Sequence, residues 1–468
     1  MRTLFPSQLN WSVFVFLAIL LKVLFPGVSL ISYFALILAL HQFVLLFTFI
    51  GYIIPVRYLF GAFMCLQFFI GPVMAYSGFD QYQYQAYRMK IPEFEYFSYA
   101  IPAVISFIIG LHITAGNHKG EIIDEEGIKG FVGRNSQLPY IFIAIGFLSS
   151  ILSGFVSAEL AFVFYLLGSF KFVGLFLLIL GGEELKLLPL KDLRILPLTL
   201  VLGSVVVSSL GNGMFHDLLT WMIFLGAVYA IQYKIGPNVK LIGFALFVLI
   251  AVLIQQLKGD YRKSTQGGGE DAGIEALTET YEAKTQGDNS IFSFSSLAPS
   301  VTRINQGFII TNIMNTVPDR VPFSRGEEMM EILEAAILPR VVDPGKLQAG
   351  DRMIFEKYSG IHLRVGTSMG LSSLGDAYLN FSIVGGSLFM FFLGLCYSEV
   401  LNYFHKLSLK RSALILFLPL IFYYPIRPDC ELQTILGHLV KAVFLILLMI
   451  YFWRNTFLDQ PAAQGDLQ

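Results

Sequence analysis

The feature that most limits what this chain can fold into is the recurrence of long apolar runs. A helix needs about 20 mainly apolar residues to cross a bilayer, and in lipid only helices and closed barrels satisfy their own backbone groups. Runs of this kind fall near residues 10–26, 29–53, 56–76, 96–115, 137–155, 158–181, 195–211, 215–232, 239–257, 374–400, 412–426 and 435–453. They imply an all-α integral membrane protein of about 12 transmembrane helices. The organisation expected is an N-terminal bundle of about nine helices over 1–257, one long polar loop with short amphipathic helices over 258–373, and C-terminal membrane helices with a tail over 374–468. Composition fits. Of 468 residues, 55% are hydrophobic and 14% charged, against about 25% charged in an average soluble domain. The run from Trp11 to Phe25 carries Lys22 and is followed by no small-residue cleavage site, so it reads as a membrane helix and not as a signal peptide.

Lys and Arg in short loops set the orientation. With the N-terminus in the cytoplasm, that side collects Arg57, Lys129, Arg134, Lys191, Lys234 and Lys410 among others. The short loops of the opposite side hold little beyond Arg88, Lys90 and Arg427. Both termini then lie inside and the long loop outside. A net charge of -1 gives no case for a nucleic-acid partner. Cys65, Cys396 and Cys430 lack metal-ligand or disulfide spacing, so neither a metal nor a cofactor is expected.

Within the long loop, Ser264–Asp271 reads as a Gly-rich hinge and Ala272–Lys284 as a short polar helix. Ser300 is placed to cap a further helix running to about Asn315, ended by Pro318. A sharper signal follows. Ser324 and Glu327 have capping-box spacing, ahead of a stripe of Met329, Ile332, Leu333 and Ala336. That predicts an amphipathic helix, stopped by Pro339, lying on the membrane surface or packed on the bundle.

Four groups of residues carry candidate chemistry. Arg340 and Lys346 flank Asp343-Pro344-Gly345; two such cations can hold a diphosphate, or simply form a solvated loop paired with Asp343 and Asp351. His362 and Arg364 precede the small-residue stretch Gly366–Gly370, either a ligand-approaching backbone or a tight turn. Asp376 and Asn380 share one face of a helix at its start, where a carboxylate is also stabilised by the helix dipole alone. Arg427, Asp429 and Glu431 crowd one short turn between two apolar runs, which can equally be a self-paired loop at the headgroup layer. Intramembrane His41, Lys171, His438 and Lys441 are weaker candidates. Together the outward Arg, Lys and carboxylate residues suit an anionic, lipid-borne ligand.

These residues carry a resemblance. "LPRVVDPGK" (338–346) is similar to a signature of the Wzy-type oligosaccharide repeat-unit polymerases, the O-antigen and exopolysaccharide polymerase family. "SLGDAYLNFSIVGG" (373–386) and "RPD" (427–429) resemble two more of that family's motifs, in the family's order. Asp376 stands where Glu is commoner, and Ser382 and Pro428 where Gly is commoner. The resemblance covers about the last 140 residues and implies a GT-C-like fold and a metal-independent glycosyltransferase. Its substrates would be undecaprenyl-diphosphate-linked oligosaccharides at the periplasmic face of a bacterial inner membrane, and a chain-length regulator is an expected partner besides membrane lipid. It assigns diphosphate binding to Arg340, Lys346, Arg364 and Arg427, and catalysis to Asp429, Asp376 and Arg340, with His362 as a lesser base. An O-antigen ligase and a lipid-linked oligosaccharide flippase are the competing expectations.

Overall fold

The computed structural model of the chain describes residues 3–7, 9–116, 121–181, 195–212, 215–266, 278, 281, 294–338, 343, 345–347, 350, 352–363 and 369–458. Arg340, Arg364, Pro339, Asp351 and almost all of the expected 272–284 helix lie outside these residues. Among the described residues all regular structure is helical, with no β-strand. Seven helices among the described residues are long and apolar enough to cross a membrane: Leu30–Phe49, Val56–Tyr76, Glu93–Ile113, Leu160–Leu180, Pro237–Lys258, Ser372–Ser408 and Leu432–Phe452. An eighth results if Glu125–Arg134 and Leu138–Leu152, bent by 82°, form one span.

Fewer helices reach crossing length than there are apolar runs, for local reasons. The runs near 10–26, 195–211 and 412–426 fold as Trp11–Leu24, Leu196–Gly211 and Ser412–Ile421, none longer than 17 residues. The last of these begins as a 3₁₀ turn and meets Pro419, Pro425 and Pro428 in quick succession, each lacking the amide that would continue an α-helix. The helix that starts at Pro237 runs past 258 to Gln266, so the polar segment begins helical; the rest of the expected hinge, 267–271, lies outside the described residues.

Eight helices carry the argument and are numbered in chain order: α1 (Val56–Tyr76), α2 (Glu93–Ile113), α3 (Phe294–Ile304), α4 (Gly307–Thr316), α5 (Glu327–Ile337), α6 (Arg352–Ser359), α7 (Ser372–Ser408) and α8 (Leu432–Phe452). The central seam joins α2 to α7. A Cβ on Gly110 would lie 2.1 Å from the Phe391 carbonyl oxygen, and one on Gly394 2.2 Å from that of Phe107. The two backbones therefore touch, as small residues allow in membrane helix pairs. Near its start α7 is broken at Ser382, which holds φ 60° and ψ -166°, a region open at low cost only to glycine.

The segment between the two membrane parts is not a solvated loop over 294–359. α4 buries Phe308, Ile309, Ile310 and Ile313, each worth about 1.5–3 kcal/mol when removed from water. Its anchor on α1 is a one-turn π-helix at Leu66–Ile70, whose wider winding frees carbonyl groups. Two partners answer them: the Gln306 amide donates to the Gln67 carbonyl at 3.1 Å, and the Tyr96 hydroxyl donates to that of Phe68 at 2.8 Å. α5 forms where the capping signal lies. The Ser324 hydroxyl accepts from the Glu328 amide at 2.8 Å, Gly326 takes the left-handed turn ahead of the helix, and Met329, Ile332 and Ala336 are buried. The helix packs on α8, so of the two expected positions it takes the one on the bundle. Glu328 then ties it to α6, accepting from Lys357 Nζ at 2.9 Å and from the Tyr358 hydroxyl at 2.8 Å.

Candidate functional site

The start of α8 organises this end of the bundle. A helix N-terminus leaves backbone amides unpaired. Asp376, on α7 and 4% exposed, accepts from the Leu432 amide at 3.2 Å. Asn380, on the same face as its spacing predicts, donates to the Asp376 carbonyl at 2.8 Å and accepts from the Met329 amide at 3.2 Å. This pair thus clamps α5, α7 and α8 together. Asp376 borders a pocket of about 30 Å³, shared with Glu328 and Glu431, room for a single water.

A much larger cavity, about 700 Å³, opens beside it. Its walls come from the 79–90 turn between α1 and α2, α3 with the start of α4, residues 429–431 with the first turn of α8, and single residues at Gln255, Gly350, Met369 and Gly370. Arg303 projects from α3 and donates to Asp429 Oδ2 at 2.6 Å. Arg427 Nη2 stands 3.7 Å from the same oxygen, its guanidinium over the Tyr424 ring at 5.3 Å. Burial works against ionisation of Asp429, but the charges of Arg427 and Arg303 outweigh it and hold the carboxyl below the usual range. Arg303 is 43% exposed at its side chain, Arg427 only 11%. Arg427 Nη1 is buried with no hydrogen-bond partner among the described residues. Cys430, in the cavity wall, has its thiol pushed up to about 12 by burial. Glu431 also lines the cavity and accepts at Oε1 from the Gly350 amide (2.7 Å) and the Thr434 hydroxyl (2.6 Å). Tyr82, Tyr84 and Tyr87 line the same cavity.

The structure places Asp429 and Glu431 in the cavity wall, with Arg427 beside Asp429 but outside the lining, and puts Asp376 with Glu431 on the smaller pocket. Lys346 lies to one side, its ammonium donating to the carbonyls of Ala335 (2.7 Å) and Leu338. It thereby satisfies the open end of α5, as basic residues do at helix C-termini. His362 is exposed, with its ring 3.5 Å from Glu356 Oε2. Met369 and Gly370, from the small-residue stretch, reach the cavity wall. Sequence reasoning missed Arg303 and the tyrosines. The tyrosine spacing in "YQYQAY" was a visible signal; Arg303 had none, because its partner is 126 residues away.

No curated protein and no solved structure matches the chain. The model of a family described as a domain of unknown function, DUF8712, matches residues 50–407, well over half of the chain. The match takes in Tyr82–Tyr87 and Arg303 and stops before Arg427 and Asp429. This membrane protein therefore belongs to the DUF8712 family.

Proposed function

We propose that the chain is a metal-independent glycosyltransferase of the oligosaccharide repeat-unit polymerase type, GT-C-like with about 12 spans, in a bacterial inner membrane. The supporting observation is the cavity of about 700 Å³ lined by Arg303, Asp429, Glu431 and three tyrosines, with Arg427 held behind Asp429 at 3.7 Å. Its volume suits a bound organic ligand. In this reading a terminal hydroxyl of one lipid-linked repeat unit attacks the anomeric carbon of another. The new glycosidic C–O bond forms as the bond to the diphosphate breaks, and undecaprenyl diphosphate leaves with the bonding electrons. Arg303 and Arg427 offset the charge that develops on the diphosphate, as fixed cations do for a transition state. Asp429, already committed to both arginines, orients them and is poorly suited to take a proton. The hydroxyl proton passes instead to Glu431, the other carboxylate of the cavity. Arg340 and Arg364 belong to the same diphosphate site in this proposal. The active face is periplasmic, and a chain-length regulator is the natural partner.

The test is the gel profile of the cell's surface glycans with and without the gene. Loss of the long ladder with single repeat units retained is the expected result. Persistence of an unbroken ladder overturns the reading. A second reading, a lipid-linked oligosaccharide flippase, draws on the break in α7 at Ser382, since interrupted helices recur in transporters. It predicts repeat units trapped on the cytoplasmic face. A ligase predicts long polymer that stays on its lipid carrier.

A further inference from the structure

We infer that Gln83, with Tyr84 and Tyr87, forms a subsite for one neutral sugar ring of the glycan, in the wall of the cavity that Arg303 and Asp429 also line. This rests on the glycan reading above and assigns to it residues that neither the sequence motifs nor the family match single out.

The first observation is Gln83 itself. It lines the cavity and is 5% exposed. Both its amide nitrogen and its amide oxygen are buried with no hydrogen-bond partner among the described residues. A buried side-chain amide is nearly always bonded, because leaving it unpaired forfeits its hydration without return. Here a donor and an acceptor on one side chain go unanswered together. The matching ligand offers an acceptor and a donor side by side, as adjacent hydroxyls on a sugar ring do.

The second observation is the turn that carries it. Tyr82 and Tyr84 are exposed, yet the backbone beneath them is tightly held. Asp80 accepts from the Met89 amide at 3.1 Å, Arg88 donates to the carbonyls of Gln83 (3.1 Å) and Gln81 (3.3 Å), and the Lys90 amide donates to Thr311 on α4 at 3.2 Å. Tyr87 packs edge-on against Phe308 at 5.3 Å, and Tyr84 edge-on against Tyr87 at 6.4 Å. Exposed aromatic rings on a braced turn present flat apolar faces at little ordering cost. A pyranose has a C–H face that lies flat on such a ring and a rim of hydroxyls that both donate and accept. A phosphate fits neither feature: it has no apolar face and nothing for an amide oxygen to accept. The subsite is therefore for the glycan and not for the diphosphate, whose charge belongs with Arg303 and Arg427.

The experiment uses the full-length protein in detergent and, as probe, the free repeat-unit oligosaccharide released by mild acid from the host's lipid-linked pool, with binding read by calorimetry. The variants are Gln83→Leu, which keeps the volume and removes the amide, and Tyr84→Ala. Each is expected to weaken oligosaccharide binding at least tenfold. Gln83→Leu should melt no lower than the parent, because it removes an unpaired buried amide, whereas a merely structural Gln83 would leave binding untouched. Inorganic diphosphate should bind parent and variants equally. Equal oligosaccharide binding by parent and both variants overturns the subsite while the polymerase reading stands on the glycan ladder. A parent that binds no oligosaccharide overturns it as well. If the parent binds, the variants do not, and the ladder is unbroken in the gene deletion, the subsite stands and the polymerase reading falls.

Discussion

Among the described residues, Arg57 and Arg427 are both largely withdrawn from solvent, near opposite ends of α7, and they are treated differently. Arg57 is 2% exposed and its guanidinium is spoken for. Nε donates to Glu121 at 2.8 Å, Nη1 to Ser398 at 2.9 Å and to the Leu111 carbonyl, and Nη2 to Asn402 at 3.1 Å. Arg427 has one longer ion pair, a ring beneath it and an unpartnered Nη1 beside a large cavity. A buried charge is stabilising only when its partners are complete. The first arginine is therefore a fastening. The second has donor capacity in reserve for something the fold does not supply. Asp376 and Asn402, near the two ends of α7, are separated by roughly 40 Å at about 1.5 Å per residue, so the two arginines can be perturbed independently.

The largest effect should come from the fastening. Arg57→Leu leaves Glu121, 8% exposed at its side chain, without its cation; breaking a buried pair in this way costs about 3–5 kcal/mol. We expect a collapse of the thermal melt in detergent, and an unchanged melt would erase the contrast. Arg303→Gln and Arg427→Gln should do the reverse. Melting should shift little for Arg303→Gln, because Arg303 is half-exposed and exposed pairs contribute about 1 kcal/mol or less. It should fall less for Arg427→Gln than for Arg57→Leu, because Arg303 remains paired with Asp429. Polymer yield should fall by about 10²–10³, the usual loss when one stabilising donor is removed. If either variant keeps its ladder, the cavity arginines are structural after all. Ser382→Gly should raise stability by about 1 kcal/mol through relief of its positive φ, read as a higher melting temperature with the Arg57 end unchanged. The smallest effect concerns pH. Glu356, on α6, accepts from Arg352 Nε at 2.5 Å and from the Leu363 amide at 2.8 Å. Those contacts hold its carboxyl down to about 2, against an ordinary 4.5. A depressed carboxyl contributes stability that is complete above pH 4.5 and is lost as pH falls through 2. Hydrogen exchange at Leu363 should accelerate only across that window, and in Glu356→Gln it should show no such acid step.

Legibility in the sequence followed the range of the interactions. The longer apolar runs and the stripe of α5 are local, and they fold as read, whereas the capping box is displaced: Gly326 is the N-cap and the Ser324 hydroxyl accepts from the Glu328 amide. Shorter runs such as 412–426 were misjudged in length because the 3₁₀ turn and clustered prolines act over a few residues that an apolar count ignores. The 294–359 segment reads as an outer loop, yet α4 lies buried against α1, because the π turn that receives it has no compositional mark. At the site, Arg427 and Asp429 were visible as charges between spans. Lys346 was equally visible but closes a helix end, and only packing separates the two cases. Arg303 meets Asp429 across 126 residues and Arg57 meets Ser398 across 341, which no pattern in a single sequence encodes.

That last separation has a consequence for how the protein is made. At about 5–20 residues per second, tens of seconds pass between synthesis of Arg57 and of the serine and asparagine that complete its ligation. Until α7 arrives, the N-terminal helices carry a cation with only part of its shell, and the Gly110 face of α2 has no backbone to meet. The bundle can close only when nearly the whole chain has left the ribosome. Chains stopped short of residue 402 lack the clasp and should go to proteolysis.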